Sequence, residues 1–188
     1  AKAYIVQDEQ LDIYEMQKKI KNPLTLNLYV LSYDNHKKLT LSNLAIKSNL
    51  ITYLNKYKIA TDSINIKDAY VINIGIKFTI TILSNYNAKE VLLKCINELK
   101  LYFNIDRWQI NQPIILSDIS KTIATVKGVQ SVIDVEIENF FDATQGYFNN
   151  VYDIQSSTID GVIYPSLDPS IFELRYPDKD IVGRVISY

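Results

Sequence analysis

Cysteine and histidine each occur once in these 188 residues, as Cys95 and His36. A lone cysteine excludes an intramolecular disulfide framework and fits a reducing compartment or indifference to redox. One histidine beside one cysteine leaves no ligand set for a zinc site. The glycines, Gly75, Gly128, Gly146, Gly161 and Gly183, are all isolated, so no phosphate-cradling loop is present. Excess charge of one sign is lacking too: 20 Lys and Arg stand against 21 Asp and Glu, a formal net charge of -1. No overall field draws nucleic acid or an anionic membrane, and neither is expected as a partner. No apolar run reaches the ~20 residues of a membrane span, and the nearest candidate alternates and carries Lys77. The sequence predicts a soluble protein. It opens at Ala1 without methionine or a signal-peptide pattern, which suggests a piece of a longer chain.

What is present is pattern. In Ala69 to Leu83, AYVINIGIKFTITIL, the even positions Tyr70, Ile72, Ile74, Ile76, Phe78, Ile80 and Ile82 are large and apolar, whereas the odd ones include Asn73, Gly75, Lys77, Thr79 and Thr81. Strand side chains alternate faces, so this predicts one long strand with a dry face that needs helices across it. Before it, Leu11, Tyr14 and Lys18 have helical spacing, ended by Pro23, and Leu24 to Tyr33 alternates as a strand closed by an Asp34-Asn35 turn. A helical stripe of Leu39, Ile46, Leu50, Tyr53, Leu54 and Tyr57 follows, with Thr40 or Ser42 as cap. Ile64 and Ile66 alternate before a turn at Lys67-Asp68.

After the long strand, Asn87 and Glu90 have capping-box spacing and open a helix with Leu92, Cys95 and Leu99 on one face, closed at Asn104. A further helix carries Leu116, Ile119, Ile123 and Val126, with Gly128 just past its end, and Val129 to Glu138 is a strand with Ile133, Val135 and Ile137 inward. This order predicts an α+β fold: a ferredoxin-like split βαβ sheet with helices on one face, plus a C-terminal β and loop segment. The expected division is a connecting segment over 1–23, a core domain over 24–139 and a docking segment over 140–188. In the last of these, Asp160-Gly161 marks a hairpin turn, and Phe172, Leu174 and Tyr176 alternate as a strand before Pro177.

Little chemistry is signalled. His36 reads as a turn residue without a second histidine, and Cys95 as a small buried hydrophobe. Asp134, Glu136 and Glu138 line one strand face, a pattern open to a hard cation but more simply a solvated or charge-protected edge. An RNA-recognition module would display stacking aromatics on a central strand, where this one has Asn73, Gly75, Lys77 and Thr79. Neither a catalytic residue nor a cofactor motif is found, so an enzyme is not expected. The aromatics gather late: Phe140, Phe141, Tyr147, Phe148, Tyr152, Tyr164, Phe172, Tyr176 and Tyr188, with Trp108 set apart. They read either as an association surface or as groups packed back on the core.

Four strings, NLYVLSYDNHKKLTLSNLAIKSNLITYL from Asn27, TDSINIKDAYVINIGIKF from Thr61, YFNIDRWQINQPIILSDI from Tyr102 and NVYDIQSSTIDGVIYPSLDPSIFEL from Asn150, carry a resemblance. The chain resembles the C-terminal part of the baseplate wedge protein of T-even-like contractile-tailed bacteriophages, in the wider baseplate-J-like group, over roughly Asn22 to Ile186. Nothing between Asp134 and Asn150 matches. The resemblance implies a structural virion protein, two copies per wedge, whose contacts with itself and with other wedge subunits close an inner ring around the tail hub. It implies no catalytic residue. The alternative left open by the residues alone is a ferredoxin-like small-molecule or regulatory binding module, which needs a pocket with convergent polar groups.

Overall fold

A computed structural model describes residues 1–7, 25–57 and 63–186. Among them the fold is mixed α+β, with four helices and three sheets. The helix expected around Leu11, Tyr14 and Lys18, and Tyr188, lie outside the described residues. The chain divides into two compact units, one of residues 1–70 with 166–171 and one of 71–165 with 172–188.

In the first unit β2 (Thr25–Tyr33) is central. β1 (Lys2–Gln7) pairs with it antiparallel, β4 (Ser63–Asp68) parallel, and the short β3 (Leu39–Thr40) antiparallel at its end. The turn into β3 forms as Asp34 dictates: its Oδ1 accepts the backbone N–H groups of His36 and Lys38 while Lys37 takes φ 60°. Parallel pairing of β2 with β4 requires a crossover, and α1 (Leu44–Leu54) supplies it. Asn43 is the cap, accepting from the Ala45 N–H, in place of the expected Thr40 or Ser42. Thr40 is held in β3, and the Ser42 hydroxyl is engaged with that of Ser32 at 2.9 Å. The apolar stripe expected to face the core does not do so: α1 has no buried residue.

The second unit is built on β5 (Tyr70–Ile82). β7 (Val129–Phe140) pairs with it antiparallel and β11 (Ile181–Ile186) parallel, and β10 (Ser170–Glu173) completes that sheet. α2 (Ala88–Tyr102) starts at Asn87, whose side chain accepts from Lys89 and Glu90 N–H, and buries Val91, Cys95 and Leu99. It ends at Phe103 in near-helical geometry, not at Asn104. α3 (Leu116–Ala124) buries Ile119 and Ile123 against β7, and Gly128, at φ 106°, turns the chain into that strand. α2 covers the even face of β5: a Cβ on Gly183, which is aligned with Phe78, would meet the side chains of Phe78 and Leu92 of α2. A third sheet joins β6 (Ile114–Ile115), β9 (Val162–Ile163) and β8 (Thr158–Ile159). Asp160 and Gly161, both at positive φ, make the hairpin turn between β8 and β9, as expected of that dipeptide.

The ferredoxin-like arrangement expected from the sequence is not shown, because the strands on either side of Ala69 belong to different sheets. The odd face of β5 is also not the polar face its residues suggest. Val71, Asn73 and Thr81 are buried alongside the isoleucines. On β7 the carboxylates of Asp134, Glu136 and Glu138 do share the Lys77 and Thr79 face, but Ile133 is exposed, contrary to the alternation. A register shift pairs Asp134 with Thr79 and Val132 with Ile80, leaving Ile133 as the extra residue of a bulge.

Gly75 is where a close approach requires glycine. A Cβ there would lie 2.3 Å from the Phe140 ring, and that ring is itself packed at a tilt against Tyr147, centroids 5.3 Å apart. Gly75→Ala is expected to destabilise the protein by about 1–3 kcal/mol, the usual cost of overpacking a filled site. Urea unfolding measures it, and an unchanged midpoint would refute the packing described.

Candidate association surface

The segment after β7 lies along β5 and is fixed there by asparagines. The Asn73 Nδ2 donates to Glu173 Oε2 at 2.8 Å, and its Oδ1 accepts the Phe148 N–H at 2.7 Å. Its carbonyl accepts from Asn139 Nδ2 at 2.9 Å, and Asn139 Oδ1 in turn takes the Tyr152 N–H at 2.8 Å. Asn150 Nδ2 reaches the Val71 carbonyl at 2.9 Å. Glu173 is further paired with Arg175 at 3.0 Å, whose guanidinium lies over the Phe148 ring. Sequence reasoning missed this network. Its signal was Asn73 itself, since asparagine is disfavoured in a strand core and persists there when its amide is bonded.

A second anchor is Asp180 at the end of the short helix α4 (Pro177–Asp180). Its carboxylate is buried, accepting the Tyr147 hydroxyl at 2.6 Å and the Tyr176 N–H at 2.8 Å. Burial and then the Asp180 hydrogen bond hold the Tyr147 hydroxyl well above the usual tyrosine range.

The expected interface residues therefore separate. Trp108 is buried, its ring tilted against Phe103 at 5.2 Å and Tyr102 at 5.9 Å, and Tyr147 and Phe172 are buried too. These three are core groups and present no contact surface. Phe140, Phe148, Tyr152 and Tyr176 are half-buried in the packing just described, with the Tyr152 hydroxyl donating to the Tyr164 carbonyl. Phe141 and Tyr164 stay exposed, as do the aliphatic Val151 and Ile159 that lie between them in sequence.

Several other chemical groups are engaged locally, although Asp134, Glu136 and Arg184 line a cavity of about 370 Å³ beside Lys77 and Thr79. Cys95 is fully buried, and that burial pushes its thiol up to about 11, so it stays protonated at neutral pH. His36 lies exposed in its turn. Glu138 is paired with Lys77, and among the described residues no group of three or more His, Cys, Asp or Glu is placed to hold a metal. No helix among them is long and apolar enough to cross a membrane. A cavity of about 290 Å³ is lined by Phe140, Phe141, Tyr147, Asp142, Gln145 and Lys179, among others. Its polar groups are engaged with one another: Lys179 Nζ donates to Gln145 Oε1 at 2.7 Å, and Asp142 accepts from Thr144 and Gln145, which lowers its pKa.

No protein-family model matches the sequence, and comparison with curated proteins finds no match.

Two outcomes follow from the anchors. Asn73→Leu leaves the Phe148 N–H and the Glu173 carboxylate each short of a partner, and stability should fall by about 1–3 kcal/mol per unsatisfied group. An unfolding midpoint within error of the native one would contradict the network. The Tyr147 hydroxyl binds its proton more tightly folded than unfolded. Its contribution is therefore complete below about pH 10 and is lost as pH rises beyond that value. Tyr147→Phe should flatten the alkaline decline of stability, and equal slopes in the two proteins would remove Tyr147 as its source.

Proposed function

We propose that this chain is a structural subunit of a contractile-tail baseplate wedge in a phage virion, associating with itself and with other wedge subunits around the tail hub. The four ordered strings that resemble the wedge protein support this family assignment. One structural observation carries the assembly role: after the second unit has formed its core, Phe141, Val151, Ile159 and Tyr164 remain outward. Large apolar groups left in water on a segment already rich in contacts are what a docking surface requires. The segment 141–164 then acts as a contact for neighbouring subunits, with the packed sheet behind it as a rigid support.

A ferredoxin-like small-molecule or regulatory module is the less favoured reading. It would need free convergent polar groups; those around the 290 Å³ cavity bond to each other, and the 370 Å³ cavity lined by Lys77, Asp134, Glu136 and Arg184 is the place such a ligand would occupy. No chemical step is assigned, and no cofactor is invoked.

The solution mass of the chain, by sedimentation across a concentration series, tests the proposal. A reversible dimer or a ring-sized species is expected. A strict monomer at every concentration would sink self-association.

A further inference from the structure

The Asp160-Gly161 turn carries chemistry as well as shape. It is the only Asp-Gly pair in the sequence, and it is the two-residue link between Ile159 and Val162, which are aligned across β8 and β9. Both turn residues are exposed. Among the described residues the Gly161 N–H donates to no group and the Asp160 carboxylate accepts from none. A nitrogen without a neighbouring side chain is the amide that an aspartate reaches most readily, and around Gly161 a Cβ would meet nothing within 4 Å. Other exposed aspartates are differently placed. Asp34, Asp142 and Asp153 each accept backbone N–H groups two or more residues ahead, which holds the carboxylate away from the next amide. Asp168 is followed by Pro169, which has no N–H.

We propose that Asp160 is a site of spontaneous isomerisation to isoaspartate, through a cyclic succinimide formed with Gly161. The Gly161 nitrogen attacks Asp160 Cγ, and the amide proton leaves with the carboxyl hydroxyl as water, closing the ring. Water then adds back at either ring carbonyl. Opening at the side-chain carbonyl restores aspartate, whereas opening at the main-chain carbonyl leaves the chain running through Cγ. No oxidant, metal or enzyme takes part, and the final mass is unchanged. Isoaspartate lengthens the link by a main-chain carbon, so the two-residue connection no longer matches the twist of β8 and β9. The Gly161 carbonyl, which accepts the Leu116 N–H at 3.0 Å where β6 passes into α3, is displaced with it. Neither step depends on the assembly role proposed above.

The test is prolonged warm incubation of the folded 188-residue chain in mildly acidic buffer, followed by peptide mapping and enzymatic methylation of isoaspartate. Asp160→Glu, whose longer side chain cannot close the same ring, is treated alongside, with circular dichroism to confirm that it is folded. The native chain should accumulate isoaspartate at residue 160, with a succinimide form lighter by the mass of water, at least about tenfold faster than at Asp34, Asp142 or Asp153. Hydrogen exchange of the Leu116 amide should quicken in the modified fraction, and Asp160→Glu should show neither change. Isoaspartate forming no faster at residue 160 than at those bonded aspartates would overturn the inference, as would an equal yield in the same peptide of Asp160→Glu. Modification with the Leu116 amide still protected would overturn its effect on the turn.

Discussion

The second unit depends on one carboxamide. Asn73 sits in the first third of the longest strand, and its side chain serves Phe148 on one arm and Glu173 on the other. Segments far apart in sequence are thereby tied to the same residue of β5. In a buried site each of these bonds is worth only about 1 kcal/mol net, yet leaving any partner unmade costs up to about three times that. The network therefore acts more by excluding other registers than by adding stability. Phe140 can lie on β5 because Gly75 leaves room, and Tyr147 lies on Phe140 because Asp180 takes its hydroxyl. The odd face of β5 becomes a second core face, and the chain after β7 is built into the sheet through β10 and β11.

Local pattern was legible where local chemistry decides. The Asn87 cap, the Val91, Cys95 and Leu99 stripe close to that expected, the Asp34 turn and the Asp160-Gly161 hairpin all arise from neighbours within a few residues. Pairings between distant segments were not legible. Ile64 and Ile66 alternate equally well whether they precede the long strand in its own sheet or, as here, lie parallel to Leu26 and Leu28 in another. The alternation of β7 likewise conceals its bulge, since a period of two gives no sign that one residue, Ile133, has dropped out of register.

The same limit governs the candidate surface. Composition could gather the late aromatics but could not say which way each would face, because a tyrosine is suited to a core with one bonded hydroxyl and to a wet contact alike. The structure separates them by their partners. Tyr147 has Asp180 within 2.6 Å and is buried, while Tyr164 offers its carbonyl to Tyr152 and keeps its ring exposed. Partners from the far end of the chain are what a sequence pattern cannot supply.

For α1 the stripe from Ile46 onward was visible, but Leu39 belongs to β3, the cap is Asn43, and the direction of the stripe was misjudged; Asp68 explains the last of these. Its Oδ1 accepts the Ser42 N–H at 3.1 Å, just ahead of the cap, and its Oδ2 holds Lys47. Two bonds from one carboxylate fix both the entry and the roll of the helix, so the Lys47 side is turned toward β4 and the Ile46 and Tyr53 side away from it. A partly buried ion pair contributes on the order of 1 kcal/mol, whereas enclosing an isoleucine or leucine contributes roughly 1.5–3 kcal/mol. A helix free to choose between them would turn its apolar line inward. The observed roll follows from the sum of the Asp68 bonds and the short tether from β3, with the apolar line left outward as the consequence.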